Sequence, residues 1–430
     1  MSASSPQPPR PRKPWPPAPR HGGPLPTGAP QGATPLPAPL LLSGARLADG
    51  RTVDVRLADG RIAAVTTADG PRPGTSRPDT LDLSGYLLLP APAEPHAHTT
   101  DALTANGPRP VHEVRRRTTE AALLHLAHGA TALRSHVPVG GAHGLRSLEA
   151  VLLAGRALRG LTEVSAVAVP PLLTGRAGAN GRAALRDAVA MGATTLGGHP
   201  ARDPDPTGHA RLVLDLATAH GLPVDLHTDG DDPAWLARVA DLATGAPFPV
   251  TLGPCAGLAH LPAATAARAA ERLAAANVTV VCLPQGNCGT LGRTETPPTL
   301  MAPVRLLQAA GVRVAAGSGS LRDTTNPVGR ADPLEAAYRL VCHGESPPSA
   351  YEAISATPRA ALGLPPVRIE PGSPADLLAV RGERLTDILS SAASRIVVHA
   401  GRVVARTRTV REYGALAART VRGVPHQGQG

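Results

Sequence analysis

His96 and His98 are the residues of this sequence best placed to do chemistry. They close the stretch Leu87–His98, which runs from apolar residues into Glu94-Pro95-His96-Ala97-His98. Alternate residues of a strand point to one side, so the two imidazoles should share a face. Neutral imidazoles suit zinc or ferrous iron. A histidine pair at this spacing is also common on surfaces and in cores, so its meaning depends on the elements around it. The four cysteines, Cys255, Cys282, Cys288 and Cys342, form no Cys-x-x-Cys pair. They support neither a zinc knuckle nor a disulfide framework.

The elements that must position this pair follow a clear rhythm. Short alternating runs cover Leu40–Leu47, Thr52–Leu57, Arg61–Thr66 and Thr80–Leu89, with Asp-Gly pairs at 49–50, 59–60 and 69–70. Asp-Gly between such runs predicts hairpins and hence a small β unit. After Pro90 strands alternate with Ala-rich helices. The strands are Thr131–His136, Glu163–Val169, Thr194–Leu196, Pro223–His227, Phe248–Leu252, Thr279–Leu283 and Val312–Ala316. Helices are expected at Ser147–Leu158, Gly181–Met191, Ala210–His220, Asp232–Ala243 and Ala263–Ala276. Repeated βα units predict a parallel sheet with right-handed crossovers. With the strand before His96 there are about eight, which makes an α/β fold of the (β/α)8 barrel type. Active sites of that fold lie at the C-terminal ends of its strands, where His96, His98 and His136 all stand. Short β runs return at Ala375–Val380, Arg395–His399 and Arg402–Ala405. They are expected to join the first β unit in a small sandwich. The resulting division is a Pro-rich disordered tail over 1–38, sandwich segments at 39–90 and 366–408, the barrel over 91–365, and a loosely ordered tail over 409–430.

Composition narrows the function classes. The 430 residues are 42% hydrophobic but only 2% aromatic, so Leu, Val and Ala must fill the core. A formal charge of +10 invites nucleic acid, yet the arginines are scattered and lack aromatic partners for base stacking. No nucleic-acid partner is expected. No apolar run is long enough to span a bilayer, and residues 1–39 hold no signal-peptide core. A reducing cytoplasm and no membrane partner are the expectation, and the tail is compatible with a mis-assigned start.

In this setting the chain resembles the amidohydrolase superfamily, on its cytosine-deaminase-like branch. Leu87–His98 is similar to that family's first-strand motif. Gly129–Val137, with Arg134 and His136, resembles its second-strand segment, and Asp225-Leu226-His227-Thr228-Asp229 the strand of its third metal histidine. Leu283, Pro284, Asn287, Leu291 and Arg293 resemble its Leu-Pro…Asn…Gly-Arg stretch. Gly317–Gly329, with Arg322, Asp323 and Asn326, is similar to its last-strand loop. Ile369–Leu377 and Val397–Val404 close the chain as the family does. The likeness is collinear over residues 40–408.

The resemblance implies a metal-dependent hydrolase of carbon–nitrogen bonds other than peptide bonds, a deaminase of a cyclic nitrogenous base. It implies one divalent metal, zinc or iron, held by His96, His98 and His227, and a small cyclic amide or amidine as substrate. A homo-oligomer is compatible with it. Asn287, His136 and Asp323 fall where substrate would be contacted. In related deaminases a metal-binding aspartate, a proton-shuttling glutamate and a charge-stabilising histidine complete the site. Here those positions are Gly319, Gly230 and Pro254, and a substrate-gripping glutamine falls at Pro171. None of these has a side chain that transfers a proton. The alternative is therefore a non-catalytic relative that binds a small molecule or an active partner. Asp229, Asp231, Asp232, His260 and Asp323 are the nearby groups that could stand in. His112, His125, His128, His143 and His199 read as surface or structural histidines.

Overall fold

The hairpin signals produce the first strands of the computed structural model, which describes residues 38–68, 79–104, 110–141, 144–285, 301–391 and 394–412. β1 (Leu40–Arg46) pairs antiparallel with β2 (Thr52–Ala58), and β2 with β3 (Arg61–Thr67). Asp59 and Gly60 turn β2 into β3 with φ of 51° and 74°, the double positive φ of a type I′ turn. The Asp69-Gly70 pair lies outside the described residues, as do residues 1–37, Asn287, Cys288, Arg293, His143 and residues 413–430.

The run expected at Thr80–Leu89 is two strands, β4 (Asp79–Asp82) and β5 (Tyr86–Pro90), both parallel to β1. β14 (Leu377–Arg381), β15 (Arg395–His399) and β16 (Arg402–Thr407) return to this sheet, with β14 antiparallel to β5. The terminal segments thus form one mixed sheet, ordered β16-β15-β14-β5-β1-β2-β3, with β4 on β1. Strand parity divides it between two cores. Leu88, Leu377, Ala379 and Val398 pack with Leu42, Val55, Leu57 and Ile62. Leu87, Leu89, Leu378, Val380 and Val397 join the barrel's core instead.

The barrel strands are β6 (Ala93–Ala97), β7 (Ala132–Pro138), β8 (Glu163–Val169), β9 (Thr195–Gly198), β10 (Val224–Thr228), β11 (Val250–Pro254), β12 (Thr279–Cys282) and β13 (Arg313–Ala316). They are hydrogen-bonded in sequence order as one eight-stranded sheet whose neighbours are parallel. A parallel bridge links Ala97, at the end of β6, to Gly319, three residues past β13. The apolar stretch before the histidine pair is therefore not one strand with it. Pro90 and Pro92 flank a break at Ala91, and their missing N–H groups end one ladder before the next begins.

Helices fill the crossovers: α1 (Val111–Ala127), α2 (Arg146–Ala157), α3 (Ala179–Met191), α4 (Pro206–His220), α5 (Pro233–Ala243), α6 (Ala263–Ala275), α7 (Val304–Ala309) and α8 (Pro333–Cys342). α4, α5 and α8 each start at an aspartate followed by proline: Asp205, Asp232 and Asp332 accept backbone N–H groups as N-caps. Gly192 and Gly221 end α3 and α4 in the left-handed region. α6 buries Ala266, Ala269, Ala270 and Leu273, the spacing of one helical face. The small helices α9 (Pro347–Ile354), α10 (Ala356–Ala361) and α11 (Leu385–Ser390) lead back to the mixed sheet. Among the described residues no helix is long and apolar enough to cross a membrane.

Candidate metal centre

Five imidazoles come together at the ends of barrel strands. His96 stands near the end of β6 and His98 just after it, His136 near the end of β7, His199 just after β9, and His227 near the end of β10. One ligand atom each from His96, His98 and His227 lies within 4.8 Å of the others. The Nε2 atoms of His96 and His98 are 3.2 Å apart. Two nitrogens on one tetrahedral zinc, each about 2.05 Å from the ion, stand about 3.3 Å apart. His96 is buried, while His98 and His227 are partly exposed. The His136 ring centroid is 3.9 Å from that of His96, and the His199 centroid 4.2 Å from that of His227.

Burial above all keeps His96, His98, His199 and His227 neutral. Burial, and then the neighbouring histidines, push His96 and His227 well below the usual histidine value. Burial is also the main cause for His98, lowered to about 3, and for His199, lowered to about 4. A neutral ring keeps the lone pair that a metal needs. The Nδ1 atoms of His96 and His227 are buried without a hydrogen-bond partner. Unpaired buried nitrogens of this kind, on converging neutral rings, fit a zinc or iron ion.

Below the histidines lies a polar layer of the barrel interior. Arg134 and His136 share a face of β7, as Asp225 and His227 share a face of β10. Arg134 Nη1 donates to Asp225 Oδ2 at 3.0 Å and to Thr251 Oγ1 at 3.3 Å, and Nη2 donates to the Ala361 carbonyl at 2.5 Å. Asp225 is fully buried. Burial alone would raise its pKa, but His136 and Arg134 outweigh that and hold it below the ordinary carboxylate range.

Glu94 fastens the seam of the barrel. Its Oε1 accepts the His96 N–H at 2.9 Å, and its Oε2 accepts the Ser318 N–H at 2.8 Å and the Ser318 hydroxyl at 2.5 Å. Burial still pushes its pKa up to about 7 against those donors. A side chain at Gly317 would overlap this carboxylate, which explains the glycine there.

The three positions that the resemblance pairs with the family's acid–base groups hold Gly230, Pro254 and Gly319. Gly230 has φ 74°, and a Cβ there would stand 3.2 Å from Leu258 Cγ. Pro254 ends β11. Gly319 has φ 69° beside the histidine pair, with Leu283 Cδ1 3.1 Å from where its Cβ would be. The stand-ins do not join the cluster. Asp229, Asp231, Asp232 and His260 are exposed, and Asp232 caps α5. Asp323 is buried, but its Oδ1 accepts the Thr325 and Asn326 N–H groups at 2.8 Å each, within its own loop.

Sequence reasoning misses two residues at this centre. His199 reads there as surface or structural, although its place just after a barrel strand is the available signal. Asp225 enters only as part of a motif, although its i, i+2 relation to His227 places it on the same inward face.

Comparisons with known proteins agree with this architecture. A family model described as the Amidohydrolase family matches residues 105–405. A pterin deaminase of Rhizobium rhizogenes is 28% identical over 311 residues, 69% of this chain and 70% of that protein. The crystal structure of N-isopropylammelide isopropylaminohydrolase from Burkholderia multivorans superposes with a TM-score of 0.75 at 25% identity, covering 86% of this chain and 98% of that one. A 5-methylcytosine deaminase from Klebsiella pneumoniae shares the fold, with a TM-score of 0.73 at 22% identity over 88% of this chain and 100% of that one. With more than half of its length matched and an eight-stranded parallel barrel to carry the match, this chain belongs to the amidohydrolase family.

Proposed function

We propose that this protein is a metal-dependent hydrolase of carbon–nitrogen bonds outside peptides, a deaminase of a cyclic amide or amidine. The supporting observation is the convergence of His96, His98 and His227 at the open end of the barrel. The relatives support the same class by name, one a deaminase and one an aminohydrolase. A zinc or iron ion held by these residues supplies a Lewis acid and a water that ionises near neutral pH. The chain's own part is to keep the three rings neutral by burial and to hold the interior beneath them rigid through Arg134 and Asp225. His136 and His199 flank the three rings.

Gly230, Pro254 and Gly319 favour a second reading, a non-catalytic relative that binds a small molecule or an active partner. Positioned proton transfer contributes about 10²–10⁴-fold to such reactions, and these three residues supply none.

One experiment separates the readings: metal content of the purified protein, measured beside turnover of a panel of cyclic amides and amidines. Stoichiometric zinc or iron with turnover that His96→Ala abolishes is the expected result. Ligand binding without turnover supports the second reading. A metal-free protein that binds none of the panel overturns both.

A further inference from the structure

We propose that Asp225 replaces the carboxylate missing at Gly319, so that the cation is held through a second donor set, His96, His136 and Asp225. This deepens the proposed function and rests on its metal.

The three side chains come from β6, β7 and β10, and one ligand atom of each lies within 4.8 Å of the others. All three are buried, at 0%, 3% and 0% exposure. Each carries at least one unsatisfied polar atom. Asp225 Oδ1, both ring nitrogens of His136 and Nδ1 of His96 are buried without a hydrogen-bond partner. His136 Nε2 lies 3.3 Å from Asp225 Oδ1, close enough to attract, yet not aligned as a hydrogen bond. A buried carboxylate oxygen with no donor costs free energy, and so does an unpaired ring nitrogen. One cation among these three groups gives each of them a partner.

Charge points the same way. Three neutral imidazoles leave a divalent ion with its full charge in a buried site. Asp225 brings a negative charge into the cluster at a place where the backbone needs no strain. Gly319, at φ 69° and against Leu283, is ill-shaped for a side chain. Arg134 acts as a positioning residue: it takes Oδ2 at 3.0 Å and leaves Oδ1 turned toward His136. Its own charge offsets part of the carboxylate's, so the site should hold metal less tightly than one with an unshared aspartate.

The test is titration of the full-length, metal-free protein with cobalt(II), read by its visible absorption, and with zinc against a competing chelator. Wild type should take one equivalent. Asp225→Asn and His136→Gln should each weaken binding by at least about tenfold and change the cobalt spectrum. Melting curves establish that each variant is folded. Wild-type affinity and spectrum in His136→Gln overturn the assignment, even where Asp225→Asn does not fold. If His98→Ala alone destroys binding, the metal reading stands and this one fails. If wild type takes up neither ion, both fail.

Discussion

Arg134 Nη1 and Asp225 Oδ2 meet at 3.0 Å inside the barrel although 91 residues separate them in sequence, and both side chains are buried. Breaking a buried ion pair from one side leaves an uncompensated charge, which costs about 3–5 kcal/mol. Arg134→Met should therefore lower stability by about that amount, read as a fall in the urea midpoint at unchanged slope. A loss below about 1 kcal/mol would mean the pair is solvated in a way its burial denies.

His96 belongs to both donor sets and should decide metal binding. A ligand at a hundred times its dissociation constant stabilises the folded state by about 2.7 kcal/mol. Zinc at that excess should raise the melting temperature of wild type, and a chelator should reverse the rise. His96→Ala should show neither response.

Placing an aspartate at 319 tests the part that the resemblance gives this position. Its left-handed φ costs a non-glycine residue about 1–2 kcal/mol, and Leu283 must give way as well. Gly319→Asp should be less stable than wild type without metal, by about that amount. It should bind zinc more tightly, because a carboxylate is added beside the histidine pair. Chemical denaturation with and without zinc reads both effects.

Acid should destabilise the protein from well above the carboxylate range. Burial lowers His125 to about 3, so between about pH 3 and its ordinary value the unfolded chain binds a proton that the folded chain refuses. Stability from this group falls as pH drops through that window, by up to about 1.4 kcal/mol per pH unit. His96, His98 and His227 have the same sign. Asp203 extends the loss to lower pH. Burial opposes its ionisation, but the Leu173 N–H, Thr174 and His209 outweigh burial and hold it below its ordinary value. Glu94, raised to about 7, runs the other way and loses stability as pH rises, but it is one group against several. Urea midpoints should be clearly lower at about pH 5 than at about pH 7.5. Equal midpoints would contradict the buried neutral histidines.

Much of the fold is legible in the sequence because each signal is local. Alternation marks Thr52–Leu57 and Glu163–Val169, and Asp59-Gly60 marks its own turn. The break between β5 and β6 is marked in the sequence only by Pro90 and Pro92, and the leucines before them mask it. Leu87, Leu88 and Leu89 are apolar on both parities because the strand lies between two cores, and such a run reads as continuous with the strand of the histidine pair. At the centre that pair is visible from spacing alone. Asp225 and His199 carry only a faint local signal, an i, i+2 relation to His227 and a place just after a barrel strand, and the side chains they meet stand on other strands.

The pairing of β5 with β14 has a consequence for how the chain comes to be made. Pro90 and Leu377 are register partners, so nearly the entire barrel sequence intervenes between two strands lying side by side. During synthesis β5 leaves the ribosome long before its neighbour exists, and its open edge carries three consecutive leucines. Completion of the mixed sheet must wait until β14, β15 and β16 have been made, so the stretch of synthesis between β5 and β14 is the period of greatest exposure to misassembly and chaperone capture.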